Sequence, residues 1–235
     1  MDSQTRHALK QDKFVQTTQS GVSWVGEHRS SVIRYSVAVV ILLALVIAGA
    51  IFYNQRSLAA EAALGAALDT YSGALAQPGQ PAQKGVYATA ADRSKAANQQ
   101  FVQVASQFGW LPEGAKAHYF AGLTYQELGQ TASAESELKT AAGSWDSNLS
   151  SLAKFALAGF YHQTGRDTQA IDLFNGLIAK PTSAVPASTS QLALADLYAT
   201  TGKAEQAKQI WAKVKDADKT GAAAQIASEK LSGKK

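Results

Sequence analysis

Histidine, serine and carboxylate are the side chains from which catalysis or metal binding would have to be built, because the 235-residue chain contains no cysteine. That absence removes disulfides, thiolate metal sites and thiol nucleophiles. Four histidines remain, His7, His28, His118 and His162. None stands in a His-x3-His or Glu-containing metal spacing. The stretch from Gly21 to Gly26 holds Ser23, but the final glycine of Gly-x-Ser-x-Gly is missing from the place where a strained nucleophile turn needs it. No glycine-rich loop ends in Lys-Ser or Lys-Thr, so no phosphate cradle is offered. Glu135 and Glu137 are two residues apart, share no helix face and are expected to be solvated. The sequence implies no enzyme, no cofactor and no metal.

Charge excludes a further class. The formal net charge is +4, and the bases are scattered. A nucleic-acid binder concentrates them in a patch or stripe. Only Lys230, Lys234 and Lys235 gather, at the C-terminal tail.

What remains is architecture. One pattern occurs three times: Tyr, three residues, Gly, four residues, Ala, three residues, a large apolar residue. Its instances are Tyr125/Gly129/Ala134/Leu138, Tyr161/Gly165/Ala170/Phe174 and Tyr198/Gly202/Ala207/Trp211. The recurrence, every 36 or 37 residues, predicts an all-α helical solenoid, in which each repeat packs on the next and the surface holds a partner. Helix pairs are expected at 115–128 and 131–142, at 150–164 and 168–179, and at 188–201 and 204–215. A last helix at 221–231 covers the open apolar edge. Glycine ends each first helix by taking positive φ. Alanine lets the second helix approach, and Leu138, Phe174 or Trp211 fills the groove. Ala141, Leu177 and Val214 continue that face.

Ahead of the repeats, residues 57–77 form an Ala- and Leu-rich helical stretch, and 78–85 a turn with two prolines. Residues 86–108 are helical again, with Ala90, Ala97, Phe101, Val104 and Ala105 as packing stripe. This hairpin caps one end. Tyr35 to Tyr53 is uncharged throughout, and as a helix it is about 28 Å long, close to a bilayer's hydrocarbon core. It predicts a single transmembrane helix. Ala48-Gly49-Ala50 resembles a signal-peptidase site, but the long preceding stretch and long apolar run favour an uncleaved anchor. Arg29 and Arg34 on one side, against Arg56 on the other, place the N-terminus in the cytoplasm and the repeats on the exported side. Within residues 1–34, Phe14, Val15, Val22, Trp24, Val25 and Ile33 suit either an amphipathic helix on the membrane or a loosely ordered tail. The expected organisation is therefore a tail (1–34), a membrane helix (35–53), a linker with an irregular hairpin (54–114), three repeats (115–217) and a capping helix with tail (218–235).

The repeats resemble tetratricopeptide repeats over residues 115–217. The small residue of the first helix appears as Gly122, Ala158 and Ala195. The boundary proline is represented only by Pro181. In that family the inner surface is built mostly from the first helix of each pair. The resemblance implies a protein-binding groove of Lys116, Tyr119, Leu123, Gln126 and Glu127, then Leu152, Phe155, His162 and Gln163, then Leu192, Asp196 and Thr200. A docked peptide or helix suits that mixture; Tyr119 and Phe155 equally suit internal packing. The carboxylate clamp of some such repeats is not matched, since Phe120, Ala156 and Ala193 stand where it uses asparagine.

The layout of tail, anchor, Ala-rich hairpin and short repeat domain resembles the bacterial ancillary SecYEG translocon subunit family, also called YfgM-like. That resemblance implies a single-pass protein of the bacterial inner membrane with periplasmic repeats, an adaptor between the SecYEG translocon and periplasmic chaperones or secreted proteins. Two other roles fit the sequence: a self-associating scaffold of an envelope or cell-division complex, and a repeat scaffold facing the cytoplasm.

Overall fold

The computed structural model describes residues 28–76, 85–217 and 220–233. The described chain is helical except for one strand pair and the turns. Its order is α1 (Arg29–Tyr71), β1 (Ala74–Leu75), β2 (Val86–Tyr87), α2 (Ala90–Phe108), α3 (Pro112–Glu127), α4 (Thr131–Ala142), α5 (Ser147–Gln163), α6 (Asp167–Ala179), α7 (Ala187–Thr200), α8 (Ala204–Ala217) and α9 (Ala222–Ser232). Packing divides the chain into two units, 1–55 and 56–235.

In the first unit the described residues are almost wholly helical, and every side chain from 33 to 55 is exposed. By length and composition α1 is long and apolar enough to cross a membrane. The readings of the tail before residue 28 lie outside the described residues.

The second unit begins inside α1, which has no glycine or proline between Tyr53 and Leu64 to stop it. Ala60, Leu64 and Ala67 bury one stripe against Ala97, Phe101, Val104, Ala105 and Phe108 of α2 and against Ala117 and Ala121 of α3. Ala90, expected in that stripe, is exposed. It opens α2, where Thr89 caps the helix by accepting from the Asp92 N–H at 3.1 Å. Residues 86 and 87, expected as helix, instead form β2, which pairs in parallel with β1 in the register Ala74–Val86 and Leu75–Tyr87. The proline turn falls mostly on 77–84, outside the described residues. Asn98 fastens the hairpin to the repeats: its buried amide donates to Ala121 O at 3.2 Å and to Thr124 Oγ1 at 2.9 Å.

Three helix pairs follow, α3/α4, α5/α6 and α7/α8, with α9 beyond them, forming a tetratricopeptide-like solenoid. The repeated quartet has a clear mechanical basis. Gly129, Gly165 and Gly202 adopt φ of 71°, 75° and 79°. The amide one residue later then turns back onto the tyrosine carbonyl: Gln130 N–H to Tyr125 O at 2.9 Å, Arg166 to Tyr161 at 2.8 Å, Lys203 to Tyr198 at 2.8 Å. This is the Schellman closure, and it sets the four-residue spacing from tyrosine to glycine. The turn reverses the chain so that Ala134, Ala170 and Ala207, each fully buried, meet the first helix. Leu138, Phe174 and Trp211, then Ala141, Leu177 and Val214, are buried one turn apart behind them. The first pair leaves no room for a side chain at Gly122, where a Cβ would lie 2.7 Å from Leu138 Cγ.

Two substitutions separate these effects. Gly165→Ala should cost about 1–2 kcal/mol through its positive φ, where a Cβ meets open space. Gly122→Ala should cost about 1–3 kcal/mol by forcing Leu138 off its rotamer. Denaturant unfolding of each variant measures the loss, and Leu138→Ala, itself destabilising because Leu138 is fully buried, should cost less in the Gly122→Ala chain than in the native one and show no such coupling to Gly165→Ala.

Candidate functional site

The first helix of each pair presents the residues expected to form a groove. α3 carries Lys116, Tyr119, Leu123, Gln126 and Glu127; α5 carries Leu152, Phe155, His162 and Gln163; α7 carries Leu192, Asp196 and Thr200. Their apolar members are half-buried. Tyr119, Leu123, Leu152 and Phe155 lean on the main core. Phe155 meets Phe174 edge-on at 5.6 Å, and Tyr119 meets Phe120 at 5.2 Å. Burial also pushes the Tyr119 phenol above its ordinary pKa. These rings thus hold helices together and leave an edge to solvent.

Leu123, Gln126, Glu127 and Gln163 come together around a cleft of about 300 Å³, and Tyr71 from the end of α1 completes its wall. The Tyr71 hydroxyl donates to Glu127 Oε1 at 2.6 Å, and Ser94 donates to the other carboxylate oxygen. Burial, reinforced by the Glu127 carboxylate, pushes the Tyr71 phenol up to about 12. Its ring lies edge-on to Phe101 and Phe120. Sequence reasoning missed Tyr71 because it lies outside the repeat register. The only available signal was an aromatic residue inside an otherwise Ala- and Leu-rich helical stretch.

The other polar candidates are held by neighbouring elements. His162 Nδ1 lies 2.6 Å from Asp167 Oδ1 and its Nε2 lies 3.1 Å from Thr200 Oγ1, joining α5, α6 and α7. Asp196 accepts from Lys230 of α9 at 2.9 Å. Lys116 lies 3.9 Å from Glu113.

Glu135 and Glu137 are not the solvated pair expected from their spacing. Glu137 Oε2 lies 2.5 Å from His118 Nδ1. Glu135 joins two repeats: its carboxylate accepts from Lys139 at 2.7 Å, Arg166 at 2.7 Å and the Tyr161 hydroxyl at 3.1 Å. The Arg166 guanidinium also covers the Tyr161 ring at 4.3 Å. Lys203 repeats that stacking on Tyr198 at 5.3 Å. Lys139 and then Arg166 pull the Glu135 carboxyl down to about 2. The partner of a carboxylate one repeat away is invisible to local spacing. Among the described residues no group of three or more His, Asp or Glu is placed to hold a metal ion.

The tetratricopeptide repeat family model matches residues 115–144, the first pair and its outgoing turn. Two solved structures are similar: the TPR-like repeats of a putative kinesin light chain from Podosopora anserina, and a single-substitution variant of the same repeats. Each is 18% identical, covers 59% of this chain and 76% of its own, and superposes with a TM-score of 0.51. At that identity the likeness is one of fold. No curated protein matches the sequence. The repeat architecture is that of a non-catalytic protein-interaction scaffold.

These findings correct two expectations. The chain is not supported as a bacterial ancillary SecYEG translocon subunit of the YfgM-like type, since the solved repeats it resembles belong to a putative kinesin light chain. Placement in a bacterial inner membrane with periplasmic repeats falls with it, having rested on that resemblance and on a small asymmetry of flanking charge. The physical reason is that an anchor-hairpin-repeat layout and a Tyr–Gly–Ala register report how helices pack. Repeat proteins of quite different partners share that packing.

Glu135 provides a test. Its carboxyl is ordinarily near 4.5 and is held near 2 when folded, so its contribution is complete above about pH 4.5 and fades as pH falls toward 2. Glu135→Gln should lower stability at pH 7 by about 1 kcal/mol or less, given solvent screening. Thermal melts of the two proteins should converge between pH 4.5 and pH 2.

Proposed function

We propose that the chain is a protein–protein interaction scaffold whose repeats face the cytoplasm and whose apolar segment, residues 35–53, lies in a lipid bilayer. The observation that carries the binding role is the cleft between α3 and α5, where Leu123, Gln126, Glu127 and Gln163 meet Tyr71. Two amide side chains beside a half-buried leucine offer donors and acceptors for a partner's backbone and a dry contact for one of its side chains. Glu127 is already oriented by Tyr71 and Ser94, so a basic or amide group on the partner meets a fixed carboxylate. Phe155, Leu152, Leu192, Asp196 and Thr200 extend the same first-helix surface toward the C-terminal repeats. The membrane reading is supported by the length and apolarity of α1, and the cytoplasmic one by the likeness of the repeats to those of a putative kinesin light chain.

A photo-reactive amino acid at Gln126 or Gln163 of the full chain, in cells, should give a discrete protein adduct. The same group at Lys208, on the exposed face of α8, should not. Equal adducts at all three positions, or none at the cleft, would remove the binding role. The natural lack of cysteine allows a single introduced cysteine, Ser136→Cys, to report facing. An impermeant maleimide should modify it only after the membrane is permeabilised.

A further inference from the structure

We propose that a cavity between the first half of α5 and the end of α6 takes an acidic segment of a partner protein, with one apolar side chain between two carboxylates. The site lies about two and a half turns of α5 away from the cleft at Gln163 and does not depend on it. The cavity holds about 650 Å³, within the range of ligand sites. Leu173, Leu177, Ala179 and Pro181 make its apolar wall. Gly176 keeps that wall open, since a Cβ there would meet no atom within 4 Å. A glycine inside a helix weakens it relative to alanine, and no packing contact calls for one here. What it leaves is bare backbone beside the cavity.

Ser151 also lines the cavity and is only 6% exposed. Its hydroxyl makes no hydrogen bond among the described residues, whereas that of Ser150 beside it donates to Ala142 O at 2.6 Å. A buried hydroxyl left open on a cavity suits a group that enters from outside, such as a peptide N–H or C=O. Charge names the rest of the occupant. Lys154 and Lys180 line the cavity, both are exposed, and neither forms an ion pair among the described residues. They stand at opposite ends. Asn148 Oδ1 accepts from Ser183 Oγ at 3.0 Å and from the Ala184 N–H at 3.4 Å, so the start of α5 lies against the turn that leaves α6. Lys180 therefore shares its end with Ser147 and Thr182, while Lys154 lies about 10 Å along α5 from Ser147. About three residues of extended peptide span that length. Asp172, the carboxylate on the lining, precedes Lys180 by eight residues on α6 and sits toward the Lys154 end. Asp146, next to Ser147, is committed to the N–H groups of Asn148 and Leu149. The Lys180 end is thus left the more positive. A carboxylate at each lysine, with an apolar side chain between them on Leu173 and Leu177, matches this lining.

The test uses the purified full chain and a fluorescein-labelled peptide holding Glu-Leu-Ser-Glu, read by fluorescence anisotropy at low ionic strength. The native chain should bind it. Exchanging both glutamates of the peptide for glutamine, or its leucine for serine, should weaken binding about tenfold or more. Gly176→Leu, whose Cβ enters open space, should weaken it as much with helical circular dichroism unchanged. Lys180→Gln and Lys154→Gln should each weaken it severalfold, and Lys208→Gln should leave it as it is. No binding, equal binding by the native and Gly176→Leu chains, or no preference for the acidic peptide would overturn the proposal. So would octanoate raising the melting temperature of the native chain but not of Gly176→Leu while the peptide fails to bind, which would assign the cavity to a small carboxylate. Self-association that Gly176→Leu abolishes would assign it to a second copy and overturn the proposal equally.

Discussion

One constraint organises the repeat unit: the chain must reverse within two or three residues at the end of each first helix, so that a second helix can lie closely against it. Gly129, Gly165 and Gly202 make that reversal by entering the left-handed region. The tyrosine four residues earlier is part of the same device, because its carbonyl accepts the amide that closes the turn. Once the turn is made, position rather than propensity selects the residues of the second helix. An alanine must face the first helix, and a large apolar residue must fill the space beside it. A shift of one residue anywhere in Tyr–Gly–Ala would carry the buried side chain about 100° around the helix and open the core.

Polar contacts then join one pair to the next. Arg166 covers Tyr161 and holds Glu135 of the preceding pair, while His162 bridges Asp167 and Thr200. These interactions lie on the edge where the glycine turns lie. Their contribution to stability is modest beside the buried Ala–Leu and Ala–Phe contacts. Their effect is geometric: they fix which first-helix residues of adjacent pairs come level with one another. The cleft shared by α3 and α5 depends on that alignment, since Gln163 reaches it only when α5 is held in register with α3.

Division of labour between side chains explains why the binding face is harder to define than the fold. Tyr119, Leu123 and Phe155 each support the core with one face of the side chain and offer the other to solvent. A residue of this kind cannot be assigned wholly to packing or wholly to recognition. Tyr71 is the plainest case. It closes the hairpin core through Phe101 and Phe120, and its hydroxyl orients Glu127 at the edge of the cleft.

The repeated quartet, read alone, determined that helices pair, where they turn and which side chains are buried, because those properties depend on contacts within about a dozen residues of chain. α4 occupies Thr131–Ala142, the range its spacing predicts, and the other repeat helices begin or end within a few residues of theirs. The membrane-length run was legible for the same reason: hydrocarbon compatibility is a property of a single contiguous segment. Tertiary structure alone decided the rest. The pairing of β1 with β2, the lock of Glu135 onto Arg166, the capture of Glu127 by Tyr71 and the meeting of Asn148 with Ser183 join residues that are 12 to 56 positions apart. No local period marks such partners, because their meeting is set by how whole helices stack. The lineage expectation failed on the same ground, since layout and register record helix packing and carry no imprint of what the packed surface binds.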